Sequence, residues 1–120
     1  MNMEFINYEQ ALALKELGFD EPCFRYYNYN GTHFFDYKPK TDDKNLTIAP
    51  LYQQAFRWFR QEYGLHVIID ETIRPQIKDS NSKLLFEYTK DGKYAGFEYE
   101  EAELACIDAL IEIVKTNNEK

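Results

Sequence analysis

The chain has 120 residues, a length that suits one domain able to bury a core without metal or disulfide staples. It is 44% hydrophobic and 17% aromatic, too apolar for a disordered chain. A formal net charge of -7 disfavours nucleic-acid backbones and anionic membrane surfaces as partners, since both call for a basic face.

Met1 to Asn7 contains neither the basic nor the apolar region of a secretory signal, and no apolar run is long enough to span a bilayer. The expected location is therefore the cytoplasm, with Cys23 and Cys106 as free thiols. Asn7, Gln10 and Gly18 carry the N-cap, capping-box and C-terminal signals of a first helix over Tyr8–Leu17.

An aromatic stretch follows, Cys23 to Lys38, interrupted by Asn30-Gly31. Asn-Gly between two aromatic runs predicts a two-residue hairpin turn, because both turn positions need positive φ. That register pairs Tyr29 with Thr32, Tyr27 with Phe34, Tyr26 with Phe35, Arg25 with Asp36 and Phe24 with Tyr37. Phe24, Tyr26, Phe35 and Tyr37 then form a core face. Arg25, Tyr27, Tyr29 and Phe34 lie on a half-wet aromatic face and are the candidate interaction residues, with packing under a helix or loop as the equal alternative for each. Lys38 to Asn45 reads as a polar loop.

Pro50 and Gly64 bracket a second helix. Leu51, Tyr52, Ala55, Phe56, Trp58, Phe59 and Tyr63 fill its apolar arc, with Glu62 inside that arc as a side chain that reaches water. Arg57 and Arg60 lie opposite, as a solvated face or as anion contacts. Val67 to Ile73 is strand-like and Gln76 to Ser82 reads as a loop. Leu84–Tyr88 and Tyr94–Tyr99 flank Asp91-Gly92 as a second hairpin, with Leu84, Phe86 and Tyr88 on a core face. The last helix, about Glu100 to Thr116, is apolar over most of its circumference. It should be buried with Leu110 and Ile113 inside, or else close a twofold homodimer through a strip of Leu104, Ile107 and Ile111. Residues 116–120 are a frayed tail.

The resulting order, α-β-β-α-β-β-β-α over a single domain 1–120, is that of an α+β fold in which antiparallel hairpins pack against helices. Chemistry is scarce. Two histidines, His33 and His66, with no Cys-x-x-Cys or His-x-x-x-His, make no metal site. A Cys23–His33 nucleophile pair is argued against by the expected hairpin register, which sets them on opposite faces. No Gly-rich phosphate loop is present, and no cofactor is implied.

The segments Ala-Leu-Ala-Leu-Lys-Glu-Leu-Gly-Phe-Asp-Glu-Pro-Cys-Phe (11–24), Ala-Pro-Leu-Tyr-Gln-Gln-Ala-Phe-Arg-Trp-Phe-Arg (49–60) and Tyr-Glu-Glu-Ala-Glu-Leu-Ala-Cys (99–106) together resemble a family of small uncharacterised proteins. Members of that family are encoded by phages, prophages and mobile elements of gut bacteria. The resemblance implies a phage accessory gene and no particular activity. Together with the acidic charge and the aromatic hairpin, it leads to the expectation of a non-enzymatic protein that binds a host protein in the host cytoplasm. The alternative is a binder of a nucleotide-like ligand, with aromatic rings stacking on a base and Arg57, Arg60 or His33 meeting phosphate.

Overall fold

The computed structural model describes residues 5–40, 46–69, 75–89 and 99–118, with the side chains of 36–40, 99 and 118 left aside. The expected strand at 94–99, up to residue 98, and its Asp91-Gly92 turn lie outside the described residues, as do the end of the strand expected at 67–73 and residues 119–120. Tyr99 instead begins the last helix, and residues 116–118, expected as frayed tail, continue it. The elements are α1 (Tyr8–Glu16), β1 (Cys23–Tyr27), β2 (His33–Lys40), β3 (Thr47–Ala49), α2 (Tyr52–Tyr63), β4 (His66–Ile68), β5 (Gln76–Lys78), β6 (Leu84–Glu87) and α3 (Tyr99–Asn118). Three helices and two three-stranded antiparallel sheets make the α+β class plain. The chain divides into two compact units, Met1–Gln54 and Ala55–Lys120.

In the first unit, α1 starts on a full capping box. Asn7 Oδ1 accepts from the Gln10 amide at 2.8 Å, and the Asn7 amide donates to Gln10 Oε1. It ends on a Schellman turn: Gly18, at φ 97°, donates to the Lys15 carbonyl and Phe19 donates to that of Leu14. Phe19 and Leu14, the two positions between which an apolar contact usually accompanies such a turn, are both buried. The sheet runs β2-β1-β3, all antiparallel. β3 adds a strand to the expected order. Its three residues are all buried, yet the run is too short for a periodic signal.

The hairpin register differs from the Asn-Gly expectation by one residue. Tyr27 pairs with His33, Tyr26 with Phe34 and Arg25 with Phe35. The physical cause lies in the loop. Of the two turn residues only Gly31 has positive φ, at 85°, so the turn is not the mirror-image type that two residues require. Asn28 and Thr32 instead close the strands, with three residues between them. The Asn28 amide donates to the Thr32 carbonyl, Gly31 donates to the Asn28 carbonyl, and Asn28 Oδ1 accepts from both Asn30 and Thr32 amides. A slip of one exchanges the two faces of β1. Cys23, Arg25 and Tyr27 are accordingly buried, while Phe24 is exposed and Tyr26 half-buried.

In the second unit the sheet runs β4-β5-β6. β5 corrects the loop reading of 76–82: only Gln76–Lys78 is strand, and the turn falls on Asp79–Lys83. Asp79 Oδ1 holds that turn by accepting from the Asn81 and Lys83 amides, both at 2.9 Å. Ile77 is fully buried between polar neighbours, a period-2 pattern too brief to stand out from a polar run. Leu84, expected on a core face, is exposed opposite Lys78, and Phe86, opposite Ile77, is half-buried.

The α2 arc is buried at Tyr52, Ala55, Phe56, Trp58 and Phe59, whereas Tyr63, Leu51 and Glu62 reach water. On α3, Ala102, Cys106, Ile107, Leu110, Ile111 and Val114 are buried, and Leu104 is exposed. Leu110 meets the expectation of burial; Ile113 is only half-buried. Burial of Ile107 and Ile111 also removes the exposed strip on which a homodimer through the C-terminal helix was premised.

Candidate functional site

The candidate surface is built by β1 and β2, and α1 decides which of their side chains are available to it. Tyr27 turns inward: its hydroxyl donates to the Ile6 carbonyl at 3.0 Å and its ring lies 5.3 Å from that of Tyr8. Arg25 lies on the same side, 8% exposed. Its guanidinium sits 4.9 Å from the Phe5 ring centre and 5.9 Å from that of Tyr27, a cation held on two aromatic faces. Arg25 Nε is buried and has no hydrogen-bond partner among the described residues. Both were expected on the open face. The one-residue slip moves them into the interior, so neither presents its side chain to a partner.

Phe34 and Tyr29 do stay outside. Tyr29 is 87% exposed at the tip of the loop. Its backbone is fixed, because the Tyr8 hydroxyl donates to the Tyr29 carbonyl at 3.2 Å and the Tyr8 ring lies against Gly31. Phe34 is 42% exposed and stacks on Tyr26 at 5.5 Å between ring centres.

Sequence reasoning assigned two further rings to the core that the structure leaves open. Phe24 is exposed, and Phe35, stacked near it at 6.3 Å, is 65% exposed with its edge towards Phe5. The signal for them was Asn28, whose side chain can capture amides two and four residues on. That capture favours the longer loop and hence the opposite faces.

Arg57 and Arg60 lie exposed on the polar side of α2, in the second unit, and His33 lies in the first with its ring 6.4 Å from Tyr27. His33 and Cys23 share a face, contrary to the expected register. They remain apart because His33 pairs with Tyr27, four residues along β1 from Cys23, about 13 Å at strand rise.

The two thiols are free and buried. Burial first, and then the charge of Glu21, pushes the Cys23 thiol from 9.0 up to about 12, against a lesser opposing effect of Gln54. Burial and Glu103 raise Cys106 to about 12 as well. Both stay protonated at neutral pH, and a protonated thiol is a poor nucleophile and a poor metal ligand. Among the described residues no group of three or more His, Cys, Asp or Glu side chains could hold a metal ion, and no helix is long and apolar enough to cross a membrane.

Comparison with protein families, with curated proteins and with solved structures finds no match for the chain.

Proposed function

We propose that this chain is a non-enzymatic interaction protein, of the phage accessory kind its sequence resembles, which binds a host protein through the aromatic edge of its first unit. One observation carries the reading: Phe24, Tyr29, Phe34 and Phe35 are all exposed on one hairpin, with Phe24 stacked on Phe35 and Phe34 on Tyr26. Single apolar residues scatter over any surface, but clustered rings mark contacts, and aromatic side chains dominate binding hot spots. The contact set is therefore Phe24, Tyr29, Phe34 and Phe35, with Arg25 and Tyr27 as its internal support. The excess of acid, -7 overall, favours a basic partner and speeds its capture. The two thiols, well suited to nucleophilic work when ionised, are held protonated at neutral pH by burial.

Capture from host lysate with quantitative mass spectrometry tests this. A protein retained by the parent chain and by an Arg57→Ala/Arg60→Ala variant, but lost from Phe34→Ser/Phe35→Ser, is the expected result. Equal capture by the Phe34/Phe35 variant would overturn the reading. Binding of a nucleotide that depends on Arg57 and Arg60 would replace it with the small-ligand alternative.

A further inference from the structure

β2 is the outer strand of its sheet, so among the described residues no strand pairs with its far side. The two halves of β2 differ in sequence. Lys38-Pro39-Lys40 carries the devices that keep a sheet edge from recruiting another chain, since proline offers no N–H and lysine resists burial. His33-Phe34-Phe35-Asp36-Tyr37 contains neither. Exposed rings flank this half on both faces of the sheet. Phe34 shares a face with Tyr26, and Phe35 lies on the face of Arg25. A strand added to this edge would send successive side chains to opposite faces, so two neighbouring residues would meet the two rings at once. Residues 1–54 carry eight acidic and five basic side chains, and the exposed ring faces attract cations. Guanidinium, planar and weakly hydrated, is the cation that stacks best on such rings.

We propose that the His33–Tyr37 stretch of β2 receives an extended segment of a protein partner as a fourth strand, with two adjacent arginines of that segment lying over Phe34 and Phe35. The proposal rests on the interaction-protein reading above and names what part of the partner is bound. Backbone pairing along the edge supplies affinity, and ring-to-guanidinium contact on both faces supplies selection.

The test uses the full chain and a capped synthetic nonapeptide with two central, adjacent arginines among threonine and valine. Controls space the arginines one residue apart or replace both by glutamate. Calorimetry should rank the adjacent-arginine peptide about tenfold or more above either control. Amide exchange should slow within His33–Tyr37 when the peptide is added. Phe35→Ser should weaken binding about tenfold while Phe35→Tyr, which keeps the ring, retains it. Absence of binding, equal binding to Phe35→Ser, or binding that leaves exchange at 33–37 unchanged would each overturn the proposal. Should the peptide fail while lysate capture still depends on Phe34 and Phe35, the surface stands and the strand mode falls. Should capture be indifferent to those rings, the surface itself falls.

Discussion

The buried hydroxyl of Tyr27 donates to the carbonyl of Ile6 at 3.0 Å, tying the end of β1 to the residue pair that leads into α1. Tyr27→Phe keeps the ring and strands a buried acceptor, at a cost of about 1–3 kcal/mol. Urea denaturation should show the lower midpoint with an unchanged slope. A parental midpoint would mean that the carbonyl finds another donor.

Gly31 and Gly18 separate two kinds of glycine requirement. Both have positive φ, but a Cβ at Gly31 would sit 3.3 Å from the Tyr8 ring, whereas one at Gly18 would meet nothing within 4 Å. Gly18→Ala should cost about 1–2 kcal/mol from backbone strain alone. Gly31→Ala should cost more and also displace Tyr8, read as a change in the near-ultraviolet circular dichroism. Equal losses with an unchanged spectrum would contradict the close approach.

Arg25 is buried with an unsatisfied Nε, which favours removing the charge while keeping the length. Arg25→Met is expected within about 1 kcal/mol of the parent, or above it. Arg25→Ala should lose about 2 kcal/mol or more, because Phe5 and Tyr27 lose their cover. Thermal melts of the pair decide; a large loss from the methionine variant would show that the guanidinium has an essential partner.

On α3 the contrast is between two leucines. Leu110 is fully buried and its replacement by alanine should cost about 2–5 kcal/mol, while Leu104→Ala, at an exposed site, should cost less than about 1 kcal/mol. Comparable losses would overturn the assignment of the buried stripe.

The thiols give the alkaline prediction. Their folded values of about 12 lie above the ordinary 9.0, so the folded chain holds protons that the unfolded chain gives up. Their contribution to stability is complete below pH 9 and fades as pH rises towards 12. Cys23→Ala/Cys106→Ala should therefore lose less stability across that window than the parent. At neutral pH iodoacetamide should label neither thiol until the chain is unfolded; rapid labelling of the native protein would refute their burial.

The helices were legible because their signals are redundant. Asn7, Gln10 and Gly18 each marked an end of α1, and the apolar arcs of α2 and α3 ran for several turns. The short strands were not. β3 and β5 have three residues each, so only their pairing with β1 and β4 identifies them. The candidate surface was half legible. Tyr29 and Phe34 were placed outside correctly, but Arg25, Tyr27, Phe24 and Phe35 exchanged roles with one decision about the loop. That decision turned on a hydrogen bond from Thr32 to the Asn28 side chain, a local competition that an Asn-Gly pair does not disclose.

Three residues between Asn28 and Thr32 thus act as a parity setting for the whole outer strand. Shortening the link by one would leave β1 anchored through Tyr27 while every residue of β2 near the turn changed sides, carrying Phe34 inward and Phe35 to the Tyr26 side. Lengthening it by two would preserve both faces at only a small entropic cost. Variation in this loop by even steps is therefore compatible with the same exposed rings, whereas an odd step would build a different surface on an unaltered set of side chains.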